Sequence, residues 1–128
     1  MINAQEKTEI GQKFLTALST QDWDLMKSIL SAGIVWSLPG NSLISGEAIG
    51  MEAVIKRAKL IVTYEITFTL KHILCGRYGV AISLNNTARR GDLILDEHIA
   101  TVCQVRDGKI FAIDTYVSDI AMLNDFFV

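Results

Sequence analysis

The sequence has few of the residues on which unusual chemistry most often depends: its 128 residues include two cysteines, two histidines and a single proline. Cys75 and Cys103 form no CxxC pair, so neither a disulfide framework nor a cysteine zinc site is expected. Both lie in apolar strand patterns, which is typical of buried free thiols. The histidines, His72 and His98, fall on separate predicted strands and no HExxH motif is present, so we expect no metal and no cofactor.

Charge and hydropathy exclude further classes of protein. Charged residues make up 20% of the chain, the net charge is -2, and no basic run stands out, so nucleic acid is not an expected partner. No apolar stretch is long enough to span a bilayer, and the first residues, "MINAQEKTEI", lack the apolar centre of a signal peptide. We therefore expect a soluble cytoplasmic protein that does not bind membranes, folded as a single domain over residues 1–128.

Hydrophobic periodicity predicts three helices in the first half of the chain. Apolar residues recur at helical spacing from about Ala4 to Ser19 and again from Met51 to Val62. A further helix is expected after Asp22, whose carboxylate can cap it, with an end near Gly33. The segment "IVWSL" predicts a short strand that stops at a Pro-Gly turn.

The second half changes to the alternating pattern of strands. Four strands are predicted at about residues 66–74, 80–88, 93–106 and 109–117, and the last two are joined by a two-residue Asp107-Gly108 turn. Asp119 can cap a short terminal helix. This order predicts an α+β fold in which a curved antiparallel sheet carries helices over one face.

Several motifs, in this order and spacing, resemble one known superfamily. They are "QKFLTALSTQDWDLMKSIL", "VWSLPG", "SGEAIGMEAV" and "RDGKI", followed by a last strand that ends near Asp119. Together they resemble the SnoaL-like and ketosteroid isomerase-like branch of the nuclear transport factor 2-like superfamily over nearly the whole chain. The resemblance implies a cone-shaped, strongly bent antiparallel sheet with three N-terminal helices that enclose an apolar pocket, and a homodimer. It does not fix the function, since the superfamily includes enzymes of several kinds and proteins without catalysis.

The functional residues of the ketosteroid isomerases are largely missing. Those enzymes place a carboxylate base before the proline of the first strand, where this chain has Leu38. They use a tyrosine of the first helix as a hydrogen-bond donor, where this chain has Phe14. Their protonated aspartate falls at Ala100 or Thr101. Since leucine cannot take a proton and a phenyl ring cannot donate a hydrogen bond, we predict that the chain is not a ketosteroid isomerase.

The turn between Arg106 and Lys109 predicts which side chains share a face of the sheet. A regular pairing places His98 opposite Val117, and cross-strand partners project from the same face. By the resemblance, the face that includes Val117 lines the pocket. A slip or bulge of one residue would reverse these assignments. The residues expected to line the pocket are Phe14, Trp36, Leu38, Ala100, Val102, Phe111, Ile113, Thr115 and Val117.

The opposite face is expected to form the homodimer interface, because it is also largely apolar and such a surface is costly to leave in water. Asp114 and Tyr116 would form a hydrogen-bonded pair there, or a catalytic acid pair if the register differs. The predicted interface residues are Ile99, Thr101, Cys103, Ala112, Asp114 and Tyr116.

His98 is the residue on which we expect any catalysis to depend. Its unperturbed pKa near neutrality suits a general base, and Asp96 could orient it as the second member of a dyad. The alternatives are a core histidine held by a fixed partner and a solvated aspartate. Trp36 could stack on a ligand or be an ordinary core residue.

Two functions fit these patterns. One is a cofactor-free acid/base enzyme, namely an isomerase, cyclase or hydrolase, that uses His98 on a hydrophobic carbonyl or polyketide-like substrate. The other is a non-catalytic module that binds a small apolar molecule or serves as a dimeric interaction domain. An enzyme needs at least two titratable groups within reach of one ligand atom, so the number of polar groups that converge in the pocket discriminates between the two functions.

Overall fold

The computed structural model describes residues 2–128, which form four helices and one six-stranded sheet. No helix in this part of the chain is long and apolar enough to cross a membrane. The helices are Ala4–Thr20 (α1), Trp23–Ile29 (α2), Met51–Val62 (α3) and Ile120–Phe126 (α4). The strands are Leu30–Leu38 (β1), Gly46–Ile49 (β2), Thr67–Cys75 (β3), Gly79–Arg90 (β4), Leu93–Arg106 (β5) and Lys109–Val117 (β6).

The strands lie in the order β2-β1-β6-β5-β4-β3 and form a curled sheet that does not close. The predicted α+β class is confirmed. The predicted cone-shaped fold with a bent sheet is confirmed as well. One strand pair departs from the antiparallel pattern, since β1 pairs with β6 in parallel. The two strands are separated by most of the chain, which allows the long crossover that a parallel pair requires. Without β1, the last strand of the meander would expose an unpaired row of backbone groups.

Short polar side chains set the starts of three helices. Asn3, Asp22 and Asp119 each accept a hydrogen bond from a backbone N–H of the first turn of α1, α2 and α4, respectively, which satisfies donors that a helix leaves free. The predicted end of α2 near Gly33 is wrong. The helix ends at Ile29, and Gly33 lies inside β1.

The core lies between the inner face of the sheet and the helices. Phe14 and Leu18 of α1 and Val54 and Ile61 of α3 are buried, as predicted from their helical spacing. Strand β4 approaches β5 so closely that a Cβ on Gly79 would lie 1.9 Å from the Cys103 carbonyl oxygen. Only glycine fits there, since any other residue would force the two strands apart.

A β-bulge sets the register of the hairpin formed by β5 and β6. The turn residues Asp107 and Gly108 have φ values of 54° and 76°, as a tight two-residue turn requires. After two regular pairs the register shifts, and Phe111 is the extra residue on β6. Beyond it, the β6 partners are displaced by one residue from the regular pairing. The pairs around the bulge are Arg106 with Lys109, Val105 with Ile110, and Gln104 with Ala112.

Candidate functional site

The helices and the inner face of the sheet enclose an apolar cavity. Its wall consists of aliphatic and aromatic side chains from α1, α3, α4 and all strands except the short β2, together with the segments that follow β1 and precede β3. The cavity offers about 50 Å³ to the centres of water-sized molecules, which suits a compact ligand better than a polycyclic one. The polar side chains in the wall are Asn86, Glu97, Thr101 and Thr115, with the indole of Trp36 beside them.

The bulge at Phe111 reverses the predicted face of β5. Ile99, rather than His98, lies opposite Val117, so the predicted register is wrong by one residue. His98 and Asp96 are exposed on the outer face. The Asp96 carboxylate accepts a hydrogen bond from Asn85 Nδ2 at 2.9 Å. Neither side chain lines the cavity, so the catalytic hypothesis centred on His98 loses the geometry on which it rested.

The predicted lining residues divide between the cavity, the core and the outer surface. Ile113 is buried in the core, whereas Phe111 packs beneath the Arg106 guanidinium at 4.2 Å. Ala100 and Val102 project from the outer face because they alternate with cavity residues of β5. The structure places on the cavity wall Phe14, Trp36, Leu38, Thr115 and Val117.

The predicted interface residues divide in the same way. Ile99 and Thr101 line the cavity, and Cys103 is buried, where loss of hydration raises the pKa of its thiol to about 12. These three therefore do not reach the outer face. Ala112, Asp114 and Tyr116 do lie there. A hydrogen bond to Asp114, together with the negative charge of that carboxylate, raises the pKa of the Tyr116 hydroxyl.

Glu97 is the titratable residue that the bulge turns into the cavity. Its side chain is 0% exposed. The carboxylate oxygen Oε1 accepts hydrogen bonds from Ser118 Oγ at 3.0 Å and from the Asp119 backbone N–H at 2.8 Å. The other oxygen, Oε2, is buried and has no partner among residues 2–128. One oxygen thus anchors the group and the other remains available.

The environment of Glu97 makes its carboxyl a weaker acid than that of an exposed glutamate. Burial raises the pKa of the carboxyl because water no longer stabilises the charge, and the negative charges of Asp119 and Asp96 act in the same direction. The hydrogen bonds from Ser118 and Asp119 lower the pKa but do not cancel the effect of burial. A carboxyl with a raised pKa can both take and return a proton nearer neutral pH, as acid/base catalysis requires.

Asn86 lies beside Glu97 on the neighbouring strand. The two are partners on β4 and β5, so their side chains project from the same face within reach of one another. The Asn86 carbonyl oxygen, Oδ1, is also buried without a hydrogen-bond donor. A carboxamide has a donor end and an acceptor end of nearly the same shape, so Asn86 can present either to a ligand.

Trp36 is fixed at the other end of the cavity. Its indole Nε1–H donates to Thr115 Oγ1 at 2.9 Å. Arg57 of α3 contacts the same residue from the helix layer. Its NH1 donates to the Trp36 carbonyl oxygen at 2.8 Å, and the guanidinium lies 5.4 Å from the centre of the Trp36 indole. Burial lowers the pKa of Arg57, and its contacts with β1 and the Ser45–Gly46 carbonyls give it a structural role.

The sequence contained a signal for Glu97 that the regular-hairpin prediction overlooked. Alternate residues of β5 form two sets: one contains Leu95, Glu97, Ile99, Thr101 and Cys103, and the other contains Asp96, His98, Ala100, Val102 and Gln104. The first set is the more apolar and therefore the better candidate for the inner face. Within residues 2–128 no cluster of three or more His, Cys, Asp or Glu side chains could hold a metal ion.

Comparison with known proteins gives the fold a name. No family model and no curated protein sequence matches the chain. Among solved structures, Bal32a, from a soil-derived mobile gene cassette, superposes with a TM-score of 0.91 at 22% identity, over 98% of each chain. A nuclear transport factor 2-like protein from Burkholderia xenovorans superposes with a TM-score of 0.87 at 19% identity, over 100% of each chain.

A third structure belongs to the predicted branch. It is described as a candidate SnoaL-like polyketide cyclase from a Jannaschia species, and superposes with a TM-score of 0.78 at 12% identity. The match covers 93% of this chain and 90% of that one. Identities this low establish a shared fold and leave the reaction open. The chain therefore has the fold of the nuclear transport factor 2-like superfamily, as its motifs predicted, and resembles structures of the SnoaL-like branch.

Proposed function

We propose that the protein binds a compact, mostly apolar carbonyl compound in the cavity and that Glu97 transfers a proton to or from it. The observation that carries this proposal is the fully buried Glu97 carboxyl, whose Oε2 has no protein partner and whose pKa is raised. Leaving such an oxygen unpaired in an apolar interior is costly unless a ligand or a proton uses it. Active sites are where such an arrangement is most often found.

The proton transfer follows from the two cross-strand partners. Glu97 Oε2 takes a proton from the carbon next to the ligand carbonyl. The electron pair of that C–H bond forms a C=C bond, and the carbonyl π electrons move to the oxygen. The Asn86 NH2 group can donate a hydrogen bond to this oxygen as its charge grows. In a β,γ-unsaturated carbonyl compound, Glu97 can return the proton to the γ carbon while the electrons on oxygen re-form the C=O bond and the double bond moves to the α,β position, which completes an isomerisation without a cofactor. In a saturated ketone the proton returns to the same carbon, and the reaction is seen only as hydrogen exchange.

The candidate polyketide cyclases among the structural neighbours support a carbonyl substrate of this kind. The small volume of the cavity favours a compact substrate, and a larger one would require the helices to open. The alternative function is a non-catalytic binding module. In that case a proton on Glu97 Oε2 would be donated to Asn86 Oδ1, and both buried acceptors would be satisfied without any reaction.

Hydrogen exchange at the α carbon tests the proposal without knowledge of the natural substrate. Small ketones, both cyclic and open-chain, are incubated with the protein in D2O, and loss of the α-proton signal is followed by ¹H NMR. The wild-type protein should accelerate exchange of at least one ketone over buffer. Glu97→Gln keeps the size and polarity of the side chain but cannot take the proton, so it should lower the accelerated rate by about 10²-fold or more.

His98→Gln is the matched control, since it changes the neighbouring residue on the opposite face of β5. It should leave the exchange rate unchanged. Loss of exchange in His98→Gln with retention in Glu97→Gln would contradict the proposal. If the wild-type protein binds ketones but accelerates exchange of none, the catalytic part is wrong and the binding module is the better account.

We also propose that the outer face of the sheet forms a homodimer interface. Half-buried apolar side chains cover its centre, including Ala100, Val102 and Ala112, and Tyr116 and Ile49 are 59% and 69% exposed beside them. An apolar surface of this kind is costly to leave in water. Because the register of β5 differs from the predicted one, the interface that we propose includes Ala100 and Val102 instead of Ile99, Thr101 and Cys103.

A further inference from the structure

The cavity has a second polar pair, far along β5 from Glu97. Thr101 and Thr115 are direct partners on β5 and β6, and they are 7% and 6% exposed on the cavity wall. Thr101 lies four positions after Glu97, which corresponds to roughly 13 Å along an extended strand. The two polar pairs therefore lie toward opposite ends of a cavity whose middle is apolar.

The hydrogen bonds at this second end leave donors unused. Trp36 Nε1–H is a donor only, so Thr115 Oγ1 must accept it and the Thr115 hydroxyl proton points elsewhere. Within residues 2–128, neither threonine hydroxyl donates to a protein acceptor. The Trp36 bond also fixes the position of Thr115 Oγ1, so this donor is held in place before any ligand arrives.

Buried hydroxyl donors are normally paired, because loss of hydration is not otherwise compensated. A molecule in the cavity can supply the acceptor, because both threonine side chains line the cavity wall. A molecule that reaches Thr101 and Thr115 therefore needs an oxygen or nitrogen acceptor at that end. At the other end of the cavity, Asn86 can turn its NH2 group towards a ligand oxygen, as in the proposed proton transfer.

We infer that Thr101 and Thr115 form a second subsite that recognises a carbonyl or ether oxygen, so that the ligand carries polar groups at both ends of an apolar segment. This inference rests on the proposed function for the placement of the reacting carbon at Glu97, but not for the binding of the second oxygen. It narrows the substrate class from simple ketones to compounds with two oxygen functions separated by an apolar spacer.

A series of diketones tests the subsite. Open-chain diketones with four, six or eight carbons between the carbonyl groups, a range that reaches towards the roughly 13 Å between the two polar pairs, are compared with monoketones of the same chain length. Binding is measured by two-dimensional ¹H–¹⁵N NMR of the two tryptophan indoles. One diketone should bind roughly three- to tenfold more tightly than its monoketone, as expected for one additional hydrogen bond. The Trp36 indole resonance should shift with that diketone, while the Trp23 resonance on α2 provides an internal control.

The double variant Thr101→Val, Thr115→Val removes both hydroxyls and nearly preserves the shape of the side chains. It should bind the monoketone and lose the preference for the diketone, whereas Thr101→Ser, Thr115→Ser should retain the preference. A preference that survives in the valine variant overturns the inference. If that variant does not fold, the wild-type spectra provide the test. Equal shifts of the Trp36 resonance with diketone and monoketone would also overturn the inference.

Glu97→Gln separates this subsite from the proposed chemistry. If both are correct, Glu97→Gln abolishes α-proton exchange and leaves the diketone preference intact. If the proposed proton transfer is wrong, the wild-type protein shows no exchange and the diketone preference is still measurable. If the subsite is wrong, exchange proceeds with no preference between diketone and monoketone.

Discussion

At the scale of single residues, Glu97 links the stability of the protein to pH. A carboxyl whose pKa is raised on folding binds a proton more readily in the folded state than in the unfolded state. Stability therefore falls as the pH rises from the ordinary carboxyl pKa, about 4.5, towards the folded value. The loss of stability caused by the buried charge is absent below this pH range and complete above it. The burial that supports the proposed role of Glu97 thus destabilises the folded protein once the pH exceeds the folded pKa of the carboxyl.

Glu97→Gln should remove this pH dependence. We expect the variant to be more stable than the wild-type protein at neutral pH, with a difference that shrinks as the pH falls towards 4, because the wild-type carboxyl is then protonated. Urea unfolding at several pH values measures the difference. Glu47→Gln, which changes an exposed carboxylate, serves as the control. A constant difference between Glu97→Gln and the wild-type protein at all pH values would contradict the burial of an ionisable group here.

At the scale of secondary structure, the limits of β5 and β6 could be predicted from local signals, whereas regular hairpin pairing predicted their faces wrongly and only the more apolar of the two alternating sets of β5 indicated the inner face. The predicted bounds of β5 and β6 match the structure, because alternation and the Asp107-Gly108 turn are local signals. The bulge at Phe111 has no strong local signal, since its cause is the packing of the whole sheet. Because of this one additional residue in β6, Glu97 faces the cavity instead of His98.

The other misses have a similar origin. The short strand β2 has four residues and no clear alternation, and it forms because β1 has a free edge beside it. The parallel pairing of β1 with β6 depends on contacts between distant parts of the chain, which periodicity does not report. Phe14, Trp36 and Leu38 could be assigned to the cavity from the family resemblance, since no bulge separates them from their predicted positions.

Helix α4 helps to position the Glu97 carboxyl, because the Asp119 N–H at its start donates to Glu97 Oε1. The Asp119 side chain caps the same helix by accepting the Met122 N–H at 3.0 Å. Asp119→Ala should cost about 1 kcal/mol of stability and should also lower the rate of α-proton exchange, because the anchor of Glu97 is loosened. Thermal unfolding and the exchange assay together test this expectation.

Asp22→Ala is the matched control for this prediction. Asp22 caps α2 in the same way but has no contact with Glu97. It should cost a similar amount of stability and leave the exchange rate unchanged. Equal loss of exchange in both cap variants would show that α4 has no special part in holding the carboxyl.

At the scale of the whole molecule, one face of the sheet lines the cavity and the other carries the homodimer interface that we propose. The predicted homodimer would cover the apolar centre of the outer face, and Ala100→Lys would place a charge there. We expect this variant to be a monomer at micromolar concentrations at which the wild-type protein is a dimer, as measured by sedimentation equilibrium. Leu43→Lys, at an exposed site in the loop after β1, should remain dimeric. A monomeric wild-type protein would contradict the proposed interface.

The central claim is that Glu97 is a buried carboxyl whose free oxygen meets the ligand. The most direct test is a ¹³C NMR titration of the glutamate side-chain carboxyl carbons, with Glu97→Gln used to assign the resonance. We predict that the Glu97 carboxyl titrates above the ordinary range for glutamate, and that a bound ketone shifts its resonance while those of the other glutamates stay in place. A Glu97 carboxyl that titrates in the ordinary range and does not respond to any bound ketone would contradict the account.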